Sequence, residues 1–207
     1  MKKFFMSFVA MLFAANSFAQ YSSGGFSLSE SSVYYGVRIG LNLSTITGDI
    51  EDASMKAGLN LGGVVGLRVS DATPVFLESG LYFTMCGANG EGKNKINLNY
   101  LELPVLIKYG IQVSDDIALL PYLGPTFRLG LGGKMKTENA TGKVDSEAAF
   151  GSDKFLRPDV GIKFGCGAEY NKLYLEAGYQ FGITNILDSD DDAMHNGALF
   201  INFGVNF

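Results

Sequence analysis

The sequence predicts an all-β chain: an eight-stranded antiparallel, up-and-down transmembrane β-barrel with a plugged interior. Three observations predict it. An export leader precedes a chain that lacks any long apolar helix, two-residue alternation runs through everything after the leader, and the connections between alternating segments are by turns long and short.

The leader comes first. Lys2 and Lys3 form a short basic region, Phe4 to Ala15 is apolar, and Ser17-Phe18-Ala19 offers small residues where a signal peptidase reads. The apolar stretch is too short and wrongly flanked for a spanning helix. Residues 1–19 are therefore expected to be a signal peptide and 20–32, rich in Ser and Gly, a flexible lead-in to a barrel domain over 33–207.

The composition fits a membrane wall better than a soluble core. Charged residues make up 18% of the chain, against about 25% in ordinary globular domains. After the leader no run of 18 apolar residues occurs, so the apolar residues belong to strands. The net charge of −5 argues against a nucleic-acid partner, which calls for a basic patch.

Eight strands are expected over 33–45, 57–70, 74–85, 96–109, 117–131, 156–170, 172–185 and 197–207. Each is long enough for a tilted strand to cross a bilayer. On the first, Tyr35, Val37, Ile39, Leu41 and Leu43 share one face, while Gly36, Arg38, Gly40 and Asn42 share the other. The sixth sets Val160, Ile162, Phe164, Cys166 and Ala168 against Asp159, Gly161, Lys163, Gly165, Gly167 and Glu169. The seventh sets Leu173, Leu175, Ala177, Tyr179 and Phe181 against Tyr174, Glu176, Gly178 and Gln180. A soluble sandwich or lipocalin-like barrel would alternate too, with the apolar face inward.

The connections favour the inverted arrangement. Between successive strands they run long, short, long, short, and the two dozen residues of 132–155 make the longest. Outer-membrane barrels put short turns on the periplasmic side and longer loops outside. On that assignment Tyr35, Tyr109, Tyr170 and Phe207 all stand at periplasmic strand ends and form an expected aromatic belt. The last strand alternates through Leu199, Ile201, Phe203, Val205 and Phe207, which resembles the C-terminal signature read by the barrel-assembly machinery.

By parity the polar face collects Arg38, Arg68, Glu78, Glu102, Lys108, Arg128, Arg157, Asp159, Lys163, Glu169 and Glu176. Six are basic and five acidic, so an inward network of ion pairs and glycines is expected to fill a barrel too narrow for an open pore. Cys86 and Cys166 fall on the third and sixth strands, which are not neighbours, so two unpaired thiols are expected. Pro104 lacks a ladder donor, so a bulge or kink is expected there.

Tyr100-Leu101-Glu102-Leu103-Pro104-Val105-Leu106-Ile107-Lys108-Tyr109 resembles the "YLEIPLLLKY" strand of the PorT-like outer-membrane β-barrel family. Pro121-Tyr122-Leu123-Gly124-Pro125 is similar to its following strand. Asp159-Val160-Gly161 with Gly165-Cys166-Gly167-Ala168-Glu169 is similar to its sixth, and Gly36-Val37-Arg38-Ile39-Gly40-Leu41-Asn42 to its first. The resemblance covers essentially all of 33–207. It implies an eight-stranded outer-membrane barrel, and some members are implicated in protein secretion.

Motifs of chemistry are sparse. Asp188, Asp190, Asp191 and Asp192 form an acidic loop without the glycine and distal glutamate of a calcium loop, and are expected to be a solvated surface. His195, the single histidine, has Ser189 nearby in sequence, but nothing fixes a nucleophile and base together. Gly124-Pro125 and Gly130-Leu131-Gly132-Gly133 are expected to be packing glycines, because no helix follows to make a phosphate loop.

The expectation is a structural or accessory outer-membrane barrel with no catalytic residue, metal or cofactor. Its partners would be outer-membrane lipid, the barrel-assembly machinery and a protein of a secretion complex. A surface-facing barrel enzyme acting on lipid or peptide, and an exported soluble lipocalin-like barrel, are the alternatives.

Overall fold

The structure, a computed structural model, describes residues 33–48, 54–70, 72–90, 94–138, 144–151, 155, 157–186 and 194–207. The expected leader, the lead-in, Ser189 and the acidic residues Asp188, Asp190, Asp191 and Asp192 lie outside them. Ten strands form among the described residues: β1 (Val33–Gly48), β2 (Ser54–Arg68), β3 (Val75–Asn89), β4 (Lys95–Tyr109), β5 (Ile111–Ser114), β6 (Ile117–Glu138), β7 (Val144–Ala148), β8 (Pro158–Tyr170), β9 (Leu173–Gly182) and β10 (Met194–Asn206).

Hydrogen-bonded neighbours follow the order β4-β3-β2-β1-β10-β9-β8-β6, and β4 pairs with β6 to close the ring. Every pairing is antiparallel, so the barrel is eight-stranded and up-and-down. The first and last described strands, β1 and β10, pair from Gly36↔Asn206 to Gly48↔Met194. Tyr35 and Phe207 finish this seam with reciprocal backbone bonds of 3.2 and 2.7 Å. A closed ring leaves no strand edge to satisfy in lipid.

Burial alternates with sequence parity in the inverted sense. Leu41 is 62% exposed and Ile39 57%, while Arg38 between β1's outward residues is 0% exposed. Comparable outward apolar side chains line every barrel strand, from Leu61 on β2 to Phe203 on β10. A soluble barrel would need the opposite faces, so the lipocalin-like alternative fails on this point.

The strands differ from expectation chiefly in length. The long connections expected at 46–56 and 86–95 shrink to 49–53 and 90–94, because β1 to β4 continue past the apolar band as hydrogen-bonded ribbons. The expected short loop 110–116 holds β5, which folds back on the start of β6 round a turn at Asp115 and Asp116. The long segment 132–155 is no open loop: β6 runs on to Glu138 and pairs with β7, from Lys134↔Ala148 to Glu138↔Val144. This arm rises from the end of the barrel carrying the longer loops (the loop end), opposite the short turns and the Tyr35–Phe207 seam (the turn end).

Two local features explain themselves by sterics. At Pro104 the ladder with β3 omits the rungs of Pro104 and Leu103, yet Ser79↔Val105 and Tyr82↔Glu102 keep one register. The expected bulge is absent there because leaving a rung unmade accommodates the missing donor, and Ser79 Oγ donates to the Pro104 carbonyl at 2.8 Å. The β4–β6 register instead shifts between Asn99 and Tyr100, with Leu131 as the extra residue. On β8, Gly167 lies against the Tyr174 ring, where a Cβ would collide with the phenol. Glycine on the inner face is what admits large aromatics into so narrow a barrel.

Candidate functional site

The distinctive chemistry of this chain lies inside the barrel. Nine of the residues placed inward by parity are buried: Arg38, Glu78, Glu102, Lys108, Arg128, Asp159, Lys163, Glu169 and Glu176. Alternation on a central strand puts each on the inner face. A lone charge there would be prohibitively costly, so the geometry of pairing decides whether the interior is tolerable.

At the turn end one continuous network forms. Glu78 accepts from Lys108 Nζ at 2.8 Å and from the Tyr34 hydroxyl at 2.6 Å, with Arg38 Nη2 at 3.9 Å. The Arg38 guanidinium lies 4.0 Å over the Tyr174 ring and donates to Asn206 Oδ1 at 2.6 Å. Asn206 in turn donates to Glu169 Oε2 at 2.9 Å. Lys108 donates to the Tyr174 hydroxyl at 2.8 Å, which donates to Glu176 at 3.2 Å, and Asn202 supplies a further bond to Glu176 at 2.6 Å. Within this network Tyr34, Phe76, Leu120 and Tyr174 pack together, with Phe76 opposite Lys108 and Tyr174 opposite Glu169.

Midway, Lys163 pairs with Glu102 at 3.0 Å between the rings of Phe200 and Tyr82, whose centroids lie 4.4 and 4.9 Å from the ammonium. Nearer the loop end, Arg128 meets Asp159 at 2.6 Å, and Asn196 and Thr184 donate to the same carboxylate at 2.8 and 3.1 Å. Above that pair sits an apolar cap. Tyr100 and Phe150 meet edge to face at 5.8 Å, surrounded by Phe155, Ala149, Leu98, Ile46 and Cys86.

Two residues depart from their expected places. Arg157 is exposed, with Nη1 donating to the Gly130 carbonyl at 2.8 Å and its guanidinium 5.5 Å from the Phe150 ring. Strand β8 begins one residue later at Pro158, so the alternation does not extend to it. Arg68 is half-buried at the turn end, where β2 finishes, and Nε donates to the Ser70 carbonyl at 2.9 Å. The buried set is thus four cations and five carboxylates, and the interior holds aromatic clusters as well as ion pairs and glycines.

The other residues singled out in the sequence fall as follows. Tyr35, Tyr109, Tyr170 and Phe207 all point outward at the turn end, between 40% and 59% exposed. Leu199, Ile201 and Phe203 face outward on β10, with Val205 partly covered and Phe207 exposed at the terminus. Both cysteines are free, Cys86 within the cap and Cys166 on the outer face. His195 is half-buried with Nδ1 3.1 Å from the Thr184 carbonyl.

Sequence reasoning missed the cap. Its signal was present: Phe150 and Phe155 are large apolar residues in an otherwise polar segment, and such residues seldom stay in solvent.

An inverted, closed eight-stranded barrel finds its counterpart in a family model described as an outer membrane protein beta-barrel domain, which matches residues 18–188. The chain belongs to that family. No curated protein matches the sequence. Among solved structures it is similar to Neisserial surface protein A, with a TM-score of 0.52 and 16% identity over 86% of this chain and 98% of that one. It is also similar to OprG of Pseudomonas aeruginosa, at a TM-score of 0.49 and 13% identity over 87% and 98% of the two chains. Membership of the family supports an outer-membrane location for the barrel, and the first likeness gives the same fold.

Proposed function

We propose that this protein is a closed, non-conducting outer-membrane anchor that displays its loop end, chiefly the β6–β7 arm, to a partner at the cell surface. The observation that supports it is the filled interior: three tiers of paired charge, the one at the turn end interleaved with an aromatic cluster, and an apolar cap at the loop end. A barrel so filled spends its interior on rigidity instead of passage. The short turns then face the periplasm and the arm faces outward.

Several finer readings belong with this proposal. Lys2-Lys3 and Ser17-Phe18-Ala19 support cleavage after Ala19. The outward aromatics at the turn end suit a periplasmic interfacial belt, and the last strand suits recognition by the barrel-assembly machinery. The likeness of Tyr100–Tyr109 to the PorT-like strand supports an accessory role beside a secretion complex. The hydroxyl–carboxylate contacts Thr184–Asp159 and Tyr34–Glu78 belong to the interior ion-pair network, which favours the accessory reading over an enzyme.

Conductance tests the proposal. Purified protein inserted in a planar bilayer is expected to give no single-channel steps. Sustained ohmic steps from correctly folded, heat-modifiable protein would overturn it.

A further inference from the structure

A row of lysines on the outer wall faces the wrong kind of neighbour. In the β4–β6 register Lys95 stands directly opposite Lys136, and Lys134 opposite Asn97. Lys56 joins them: its Nζ donates to the Ile96 carbonyl at 3.0 Å and to the side chain of Asn97. Like charges directly opposite on one face of an antiparallel pair destabilise it, so such a rung calls for an anion.

Two of the described acids of the arm lie on its other face. Glu147 pairs with Met135, which packs against the apolar cap, and Asp145 pairs with Thr137, so register puts both acids on the other face of the arm. Glu138 shares the lysine face at the tip of β6. Among the described residues Lys95, Lys134 and Lys136 make no ion pair with a carboxylate.

Descending the same wall, the Asn97/Lys134 rung gives way to Asn99/Gly132 and then to Leu101/Leu129, where the outward side chains become apolar. The lysines therefore begin two rungs above the apolar band, a height on the order of 10 Å for a tilted strand and within reach of a long side chain that snorkels. Phosphate groups of an outer-leaflet lipid would lie at that level.

We propose that Lys95, Lys134, Lys136 and Lys56 form a binding face for the phosphate groups of an anionic, phosphorylated glycolipid of the outer leaflet. Lysine suits the role, since its ammonium is a mobile point charge that meets phosphate in many orientations. The face would fix the rotation of the barrel in the membrane and hold the β6–β7 arm upright.

Full-length protein in phosphatidylcholine nanodiscs, titrated with bisphosphorylated lipid A and read by native mass spectrometry, tests this. Wild-type barrel is expected to retain lipid A adducts but not adducts of the dephosphorylated lipid. Substituting Lys95→Gln, Lys134→Gln and Lys136→Gln together should weaken binding about a hundredfold, roughly fivefold per charge, while Lys172→Gln at the turn end changes nothing. Equal binding by the triple variant, equal binding of dephosphorylated lipid, or displacement by inorganic phosphate at matched concentration would overturn it. Because the lipid source rests on the arm facing outward, Ser146→Cys in a Cys166→Ser background should react with impermeant maleimide on intact cells. Lipid A binding in vitro with no such labelling would overturn the outer-leaflet assignment and refute the proposed orientation separately.

Discussion

Replacing Glu102 with glutamine is expected to lower the unfolding free energy of the detergent-solubilised barrel by about 3–5 kcal/mol. Glu102 is 1% exposed and holds Lys163 at 3.0 Å in a slot walled by the Tyr82 and Phe200 rings. The substitution preserves shape and removes one charge, which strands a buried ammonium without its partner. The loss should appear as a lower midpoint in urea with an unchanged slope. Removing both partners, as Glu102→Met with Lys163→Met, should recover most of it, because a matched apolar pair of similar volume avoids the desolvation cost altogether. An unchanged midpoint in the single variant would place Glu102 in solvent and contradict the filled interior.

Ile39→Arg is expected to cost about 2–4 kcal/mol when unfolding is measured from lipid vesicles, because Ile39 is outward near the middle of the apolar band. The cost should depend on depth. The same change at Val33, where β1 begins at the turn end, should cost about 1 kcal/mol or less. A soluble barrel predicts neither value, since arginine on a wet surface is nearly neutral. The depth dependence separates a lipid contact from ordinary packing.

These two substitutions probe the parts of the molecule that were legible in the sequence. The fold class, the strand order and the inward sense of the charges all follow from one period, because a strand reports its two faces with every residue. Arg38 and Ile39 are adjacent in sequence and fully opposite in environment for that reason.

What was not legible lies where that period stops meaning burial. Beyond the apolar band a strand can continue as a polar ribbon held by backbone bonds alone, and hydropathy does not register backbone bonds. Strand β6 therefore runs past Leu131 to Glu138, and β7 pairs with it, in a stretch that reads as loop. Arg157 shows the converse: parity extended beyond the start of β8 assigns a face to a residue that has none. The cap residues Phe150 and Phe155 escaped because they reach the core from outside any barrel strand, so no alternation points to them. The tiers of pairing were also beyond the sequence. Parity names the buried charges, but strand register is what sets Arg128 opposite both Glu102 and Asp159, and side-chain geometry then gives it Asp159 at 2.6 Å while Lys163 takes Glu102.

The lysine row follows the same logic. Lys95 and Lys136 are far apart in sequence and unremarkable singly; closure of β4 on β6 makes them a facing pair.

The measurement that tests the inverted barrel most directly uses the absence of tryptophan from the chain. Single tryptophans at Ile39 and Phe203, both outward, and at Phe200, which is 3% exposed and inward, would be read in vesicles whose acyl chains carry bromine. Ile39→Trp and Phe203→Trp should be strongly quenched and Phe200→Trp spared. Equal quenching at all three positions, or quenching at Phe200→Trp alone, would contradict the arrangement on which every other conclusion depends.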